Sequence, residues 1–191
     1  LQVGLVFDTR NRTTDTSRGH WIELLTRTNL RYIGGSTNFF GVTLADHHYF
    51  TLVGDLVLAN RLLVDVLVGD VPLSEMPRFG DSAATDGLGG AWSLRGFTTR
   101  RFIGKVKIVL NPEVRYRFLT WHWWGQRLDL GGVGFVDVGR VWKDLSPDGP
   151  PGTFHWAGGG GLRLVWNENF LARFEAGGSV EGYGIYIEIF T

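Results

Sequence analysis

Between residues 104 and 119 the chain alternates almost without error, Val106, Ile108, Leu110, Val114, Tyr116 and Phe118 on one side and Lys105, Lys107, Asn111, Glu113, Arg115 and Arg117 on the other. A period of two over such a length specifies an extended strand with two unlike faces. The ionic face is too charged for the inside of a water-soluble sandwich, and the apolar face is too continuous to be left in water. Lipid outside and an enclosed polar interior satisfy both. The same pattern sets Leu56, Leu58, Leu62, Val64, Val66 and Val68 against Asp55, Arg61 and Asp65, and Phe170, Ala172, Phe174 and Ala176 against Arg173 and Glu175. It sets Leu128, Leu130, Val136 and Val138 against Asp129, Phe135 and Asp137, and Ile185, Ile187 and Ile189 against Tyr186, Glu188 and Phe190. Outward apolar and inward polar strands predict an all-β, antiparallel transmembrane β-barrel.

Breaks at Gly, Pro, Asn and Asp clusters divide the chain into nine strand candidates, near residues 2–10, 20–32, 38–50, 52–68, 104–119, 127–142, 154–166, 170–178 and 183–190. Bacterial single-chain barrels normally have even strand numbers, so nine implies an upstream strand or a miscount, and about eight strands are expected in a single domain over residues 1–191. Short turns such as Asn167-Glu168-Asn169 alternate with longer loops such as residues 144–153, which carry a Pro-Asp-Gly-Pro-Pro-Gly run. The longest irregular stretch, residues 69–100, is of a length that marks either function or disorder in a compact domain. It closes on Leu94-Arg95-Gly96-Phe97. About forty residues on, the strand carrying Phe135, Asp137 and Gly139 presents an inward carboxylate that the rigid donor fork of an arginine can grip. An inward-folded loop is therefore expected.

Composition removes several classes of function. Lys and Arg together equal Asp and Glu at 19 each, and this zero net charge argues against nucleic acid as a partner, since phosphate backbones are bound through clustered positive charge. There is no Cys, hence no disulfide framework, thiolate metal site or cysteine nucleophile. No run approaches the roughly eighteen apolar residues of a transmembrane helix; the most apolar segment, residues 62–73, is interrupted by Asp65 and Asp70. His47 and His48 are strand neighbours pointing to opposite faces, which cannot share one metal ion, and His20, His122 and His155 have no Ser and carboxylate at informative spacing. No catalytic residue, metal or cofactor is assigned. Gly158 to Gly161 lack the Lys-Ser/Thr pair and following helix of a phosphate loop, and predict instead a place where a neighbouring backbone or folded-in loop comes close. Trp121, His122, Trp123 and Trp124, together with Trp156 and Trp166, fit interfacial girdles.

Asp8-Thr9-Arg10, a Thr- and Ser-rich turn ending at Arg18-Gly19, the Arg95 motif, Asn111-Pro112-Glu113 and Gly134-Phe135-Val136-Asp137-Val138-Gly139 follow one another in a specific order. Together they resemble the barrel of the bacterial surface antigen superfamily, which includes BamA-like outer-membrane assembly factors and two-partner-secretion transporters. The resemblance runs from about residue 4 to the end of the chain. It implies that a loop before the last five strands folds into the lumen, with Arg95, Gly96 and Phe97 forming a latch with Glu113, Phe135, Asp137 and Gly139. It also implies protein insertion or translocation, not enzymatic catalysis, in the outer membrane of a Gram-negative bacterium. The family's POTRA modules and larger barrels are not seen in this sequence, so the chain is expected to be either the C-terminal part of a larger protein or a minimal, POTRA-less barrel. Expected partners are outer-membrane lipid and client or partner proteins. The alternative function is a passive structural or anchoring barrel with a plugged lumen, whose copies complete one another's sheets as a homo-oligomer.

Overall fold

The computed structural model describes residues 1–83, 85–145, 154–167 and 169–190. The Pro-Asp-Gly-Pro-Pro-Gly run and Glu168 lie outside the described residues. All nine candidate strands form: β1 (Gln2–Asp8), β2 (Gly19–Asn29), β3 (Phe39–Val53), β4 (Leu56–Gly69), β5 (Val106–Trp123), β6 (Gln126–Trp142), β7 (His155–Trp166), β8 (Phe170–Ser179) and β9 (Tyr183–Phe190). Each pairs antiparallel with the next in one sheet ordered β1 to β9. Among the described residues β1 and β9 share no ladder.

Strand ends depart from the expected ones where local chemistry wins. Residues 31–33 form a short 3-10 turn capped by Gly34 in the left-handed region, instead of prolonging β2. β3 runs through Phe50 to Val53, with a register shift between Thr51 and Val53, and the turn falls at Gly54-Asp55. β5 extends past residue 119 because its aromatic end, Trp121 to Trp123, finds partners in Leu128, Arg127 and Gln126, and aromatic residues suit a pleated surface. Trp124 and Gly125, at φ 49° and 73°, then close a two-residue hairpin whose twist matches the flanking strands.

The alternation separates two environments. Leu110, Val114, Tyr116, Phe118, Val136, Phe174, Ile185, Ile187 and Ile189 are exposed on the outer face, an apolar surface that requires lipid. Trp121, Trp123 and Trp124 stack at the turn end of the wall, centroids 6.2 and 4.9 Å apart, and Trp156 and Trp166 lie exposed at opposite ends of β7. Nitroxide labels at Leu110, Val114 and Val136 should therefore be relaxed by oxygen dissolved in the bilayer, whereas one at Val109 should not. Protection of the first three would reject the assigned orientation.

The inner face is not uniformly polar as the alternation alone suggested. Leu63, Leu67 and Val109 point inward and are fully buried. The long loop, residues 70–105, enters the barrel with its own apolar side chains, so the wall opposite it is apolar too. Ala45, Leu63, Phe79, Leu88, Leu94, Phe97, Val109 and Ala157 make one cluster, with Trp21, Phe102 and Val141 packed against it. The loop is thus seated in a small hydrophobic core at one end of the lumen.

Candidate functional site

The tip of the loop places one guanidinium among three carboxylates. Arg95 donates from Nε to Asp137 Oδ2 (2.8 Å) and from Nη2 to Asp137 Oδ1 (2.7 Å), the paired fork geometry of arginine on a carboxylate. Its backbone N–H donates to the same Oδ2 at 3.0 Å. Nη1 donates to Glu113 Oε1 (3.0 Å) and to Glu175 Oε2 (2.8 Å). The Arg95 side chain is 4% exposed, Asp137 0% and Glu175 1%, so these bonds are made away from bulk water. Arginine suits the position because it remains charged at any ordinary pH and loses little freedom for each bond it makes.

The strands bring this set together through one lateral row. Glu113 on β5 sits opposite Phe135 on β6, Phe135 opposite Gly159 on β7, and Gly159 opposite Gly177 on β8. With no side chains at 159 and 177, the Phe135 ring spreads over the sheet, and the Arg95 guanidinium stacks on it with its carbon 3.3 Å from the ring centroid. A Cβ on Gly177 would lie 2.9 Å from that of Arg95. Gly139, two residues beyond Asp137 on the same face, leaves space for Leu88 and Leu94 of the loop, which a Cβ would meet at 2.7 and 3.0 Å.

Gly96 turns the chain at φ +92°, a conformation that other residues rarely adopt, and lies so close to β8 that a Cβ would stand 2.8 Å from the Gly178 carbonyl carbon. Its N–H donates to Tyr186 Oη (2.7 Å), and its carbonyl accepts from Ser179 Oγ (2.9 Å). Phe97 is buried against Phe102 and His155. The sequence-predicted residues Arg95, Gly96, Phe97, Glu113, Phe135, Asp137 and Gly139 thus all lie in or beside one contact region. Sequence reasoning named Glu175 as an inward acid but did not bring it to Arg95, and it missed Asn111 as a second donor to Asp137 Oδ1 (2.8 Å).

Further ties hold the loop. Asp65 on β4 accepts from Arg27 (3.0 Å) and Thr43 (2.6 Å) and pairs with Lys107 (2.7 Å), whose ammonium also donates to the Met76 carbonyl of the loop at 3.0 Å. Glu23 on β2 accepts from the Ser82 N–H (3.1 Å) and Oγ (2.9 Å). Elsewhere in the lumen Arg117 pairs with Asp55 and Asp129, so several inward charges balance one another within the wall. His47 faces the lumen edge-on to Trp21, whereas His48 stacks outside on Phe50. What this geometry can do is fix a loop to β5, β6 and β8 by charge.

No curated protein gives a significant match to the chain. A family model described as the Omp85 superfamily domain matches residues 1–177, which includes the whole of the loop and the strands from β1 to β7 with most of β8. With that match over most of its length, and with an all-β antiparallel wall folded around an inward arginine loop, the chain belongs to the Omp85 superfamily.

Proposed function

We propose that the chain forms the wall of an outer-membrane barrel in a Gram-negative bacterium and that this barrel inserts or translocates other proteins. Family membership supports the reading at its coarse level, since Omp85 proteins are outer-membrane transporters and assembly factors. The observation that carries the finer reading is the division between fixed and unpaired strands. Arg95 ties the loop to β5, β6 and β8 through Glu113, Asp137 and Glu175. The outer edges of β1 and β9, by contrast, are unpaired among the described residues, and Val3, Leu5, Val6 and Phe7 of β1 are exposed on both faces. Where such an edge is open in the membrane, it offers a row of N–H and C=O groups on which an incoming strand can be templated.

The reading predicts that vesicles holding the protein take up an unfolded client barrel faster than empty vesicles. It also predicts that a photoreactive residue at Leu5 or Ile187 captures the client, while one at Leu110 on a fully paired strand does not. Equal uptake with and without the protein rejects it. The apolar seat of the loop favours a second reading, a plugged barrel that anchors or oligomerises without passing anything. Planar-bilayer recording separates the two, steps of conductance supporting translocation and a silent membrane the plugged anchor.

A further inference from the structure

Toward the turn end the lumen is not filled. A cavity of about 400 Å³ opens between the loop and the wall, and its charged lining consists of Arg61, Arg95, Arg115, Arg163 and Arg173 against a single carboxylate, Glu113. A second cavity of about 260 Å³ lies against the β1–β2 segment, and the two share Thr16, Arg115 and Arg163. Arg163 stands at this junction.

The five cations are not equally neutralised. Arg95 spends its donors on three carboxylates, and Arg115 forks onto Glu113 at 3.0 and 2.8 Å. Arg173 pairs with Glu188 and is flanked by the rings of Trp92 and Phe190. Arg61 donates to the Trp92 carbonyl at 2.6 Å and makes no ion pair among the described residues. The Arg163 side chain is 5% exposed, yet among the described residues its one ionic contact is Asp15 at 3.5 Å and its Nη1 has no partner. A buried guanidinium with an unmade bond is costly unless something supplies an acceptor. Asp15 is a poor supplier: it is a quarter exposed, sits on a turn and reaches Arg163 at the limit of hydrogen bonding.

From this we infer that the Arg163 junction is a binding site for a phosphate-type oxyanion, which takes the place that Asp15 holds loosely. Guanidinium forks match phosphate and carboxylate oxygens, and a phosphate group has the additional acceptors that two incompletely satisfied arginines, Arg61 and Arg163, call for. The cavity volume falls within the range that encloses a small ligand. The oxyanion chemistry is common to a soluble phosphate and to a lipid headgroup, and the site is independent of whether the barrel moves proteins.

The test is calorimetric titration of pyrophosphate into the full chain folded in detergent at constant low ionic strength, with phospholipid phosphorus assayed in the same preparations. R163Q should weaken binding by about ten-fold or more, the loss of one charge-assisted contact. R163K should fall between the two, since an ammonium keeps the charge but cannot fork onto the oxyanion. D15N should tighten it, because the competing carboxylate is gone, and a role confined to structure predicts no such opposite signs. Heat-modifiable migration in gels establishes that each variant is folded. Phosphorus that co-purifies with the wild type and is lost in R163Q identifies a lipid occupant, and titratable pyrophosphate identifies a soluble one. Absence of both, affinity unchanged in folded R163Q, or D15N binding no tighter than the wild type overturns the inference.

Discussion

Arg95→Ala will free residues 80–100 from the barrel wall and lower stability by about 3–5 kcal/mol, the cost of leaving a buried charge without its partner. The substitution deletes all four side-chain bonds to Asp137, Glu113 and Glu175, whose side chains are 0%, 9% and 1% exposed. Glu113 keeps Arg115, and Asp137 keeps Asn111, but the three acids then face one another without the cation between them. The Phe135 ring loses its stacked partner as well. Arg95→Lys should fall between the two, since an ammonium keeps the charge but cannot fork onto Asp137 while also reaching Glu113 and Glu175. Limited proteolysis of the folded protein in detergent reads the loop, and the temperature at which the compact form is lost in gels reads the stability. A loop as protected in the Ala variant as in the wild type would show that the hydrophobic seat, not the arginine, holds it.

Much of this geometry was legible because it is written in short-range patterns. The β5 alternation assigns Lys107, Asn111, Glu113 and Arg115 to the lumen with no knowledge of neighbouring strands, and the inward position of Asp137 follows in the same way from β6. Pairing Arg95 with Asp137 needed only a loop tip and an inward acid. Glu175 was harder, because its approach to Arg95 depends on the register of β6, β7 and β8, which aligns Phe135, Gly159 and Gly177 in one row. No local signal carries a register. Leu63 and Leu67 were hidden differently: in the run Leu62-Leu63-Val64 both faces are apolar, so periodicity gives no hint that one of them meets a loop instead of lipid. Arg163 is a lone cation in a glycine-rich strand, and only the infolded β1–β2 segment makes its burial visible. The glycine run itself was read as space for a close approach, and here the structure distinguishes positions that the composition cannot.

That distinction gives the second large effect, a contrast between adjacent glycines. Gly159→Ala places a methyl group 2.0 Å from the Ala176 carbonyl oxygen, 2.6 Å from Phe135 Cζ and 2.8 Å from Gly177 Cα. Two of these atoms belong to the backbone of β8, so relief must come from parting β7 and β8 or from tilting the Phe135 ring off the sheet. Either movement disturbs the surface on which Arg95 rests. Overpacking of this kind costs about 1–3 kcal/mol, and more where backbone has to move. Gly158→Ala adds the same methyl group to the lipid face, where its nearest neighbour is the Phe135 carbonyl oxygen at 3.6 Å, an ordinary contact. It should change stability by no more than about 0.5 kcal/mol. The two variants have identical composition and differ by one position in a strand, so helix or strand propensity cancels and only the face is tested. Measured by thermal loss of the compact form and by protease cleavage between residues 80 and 100, Gly159→Ala should shift toward the Arg95→Ala behaviour while Gly158→Ala stays with the wild type. Equal tolerance of both would mean that Phe135 does not lie across Gly159, and the arginine would then lack the platform that holds it level with Asp137.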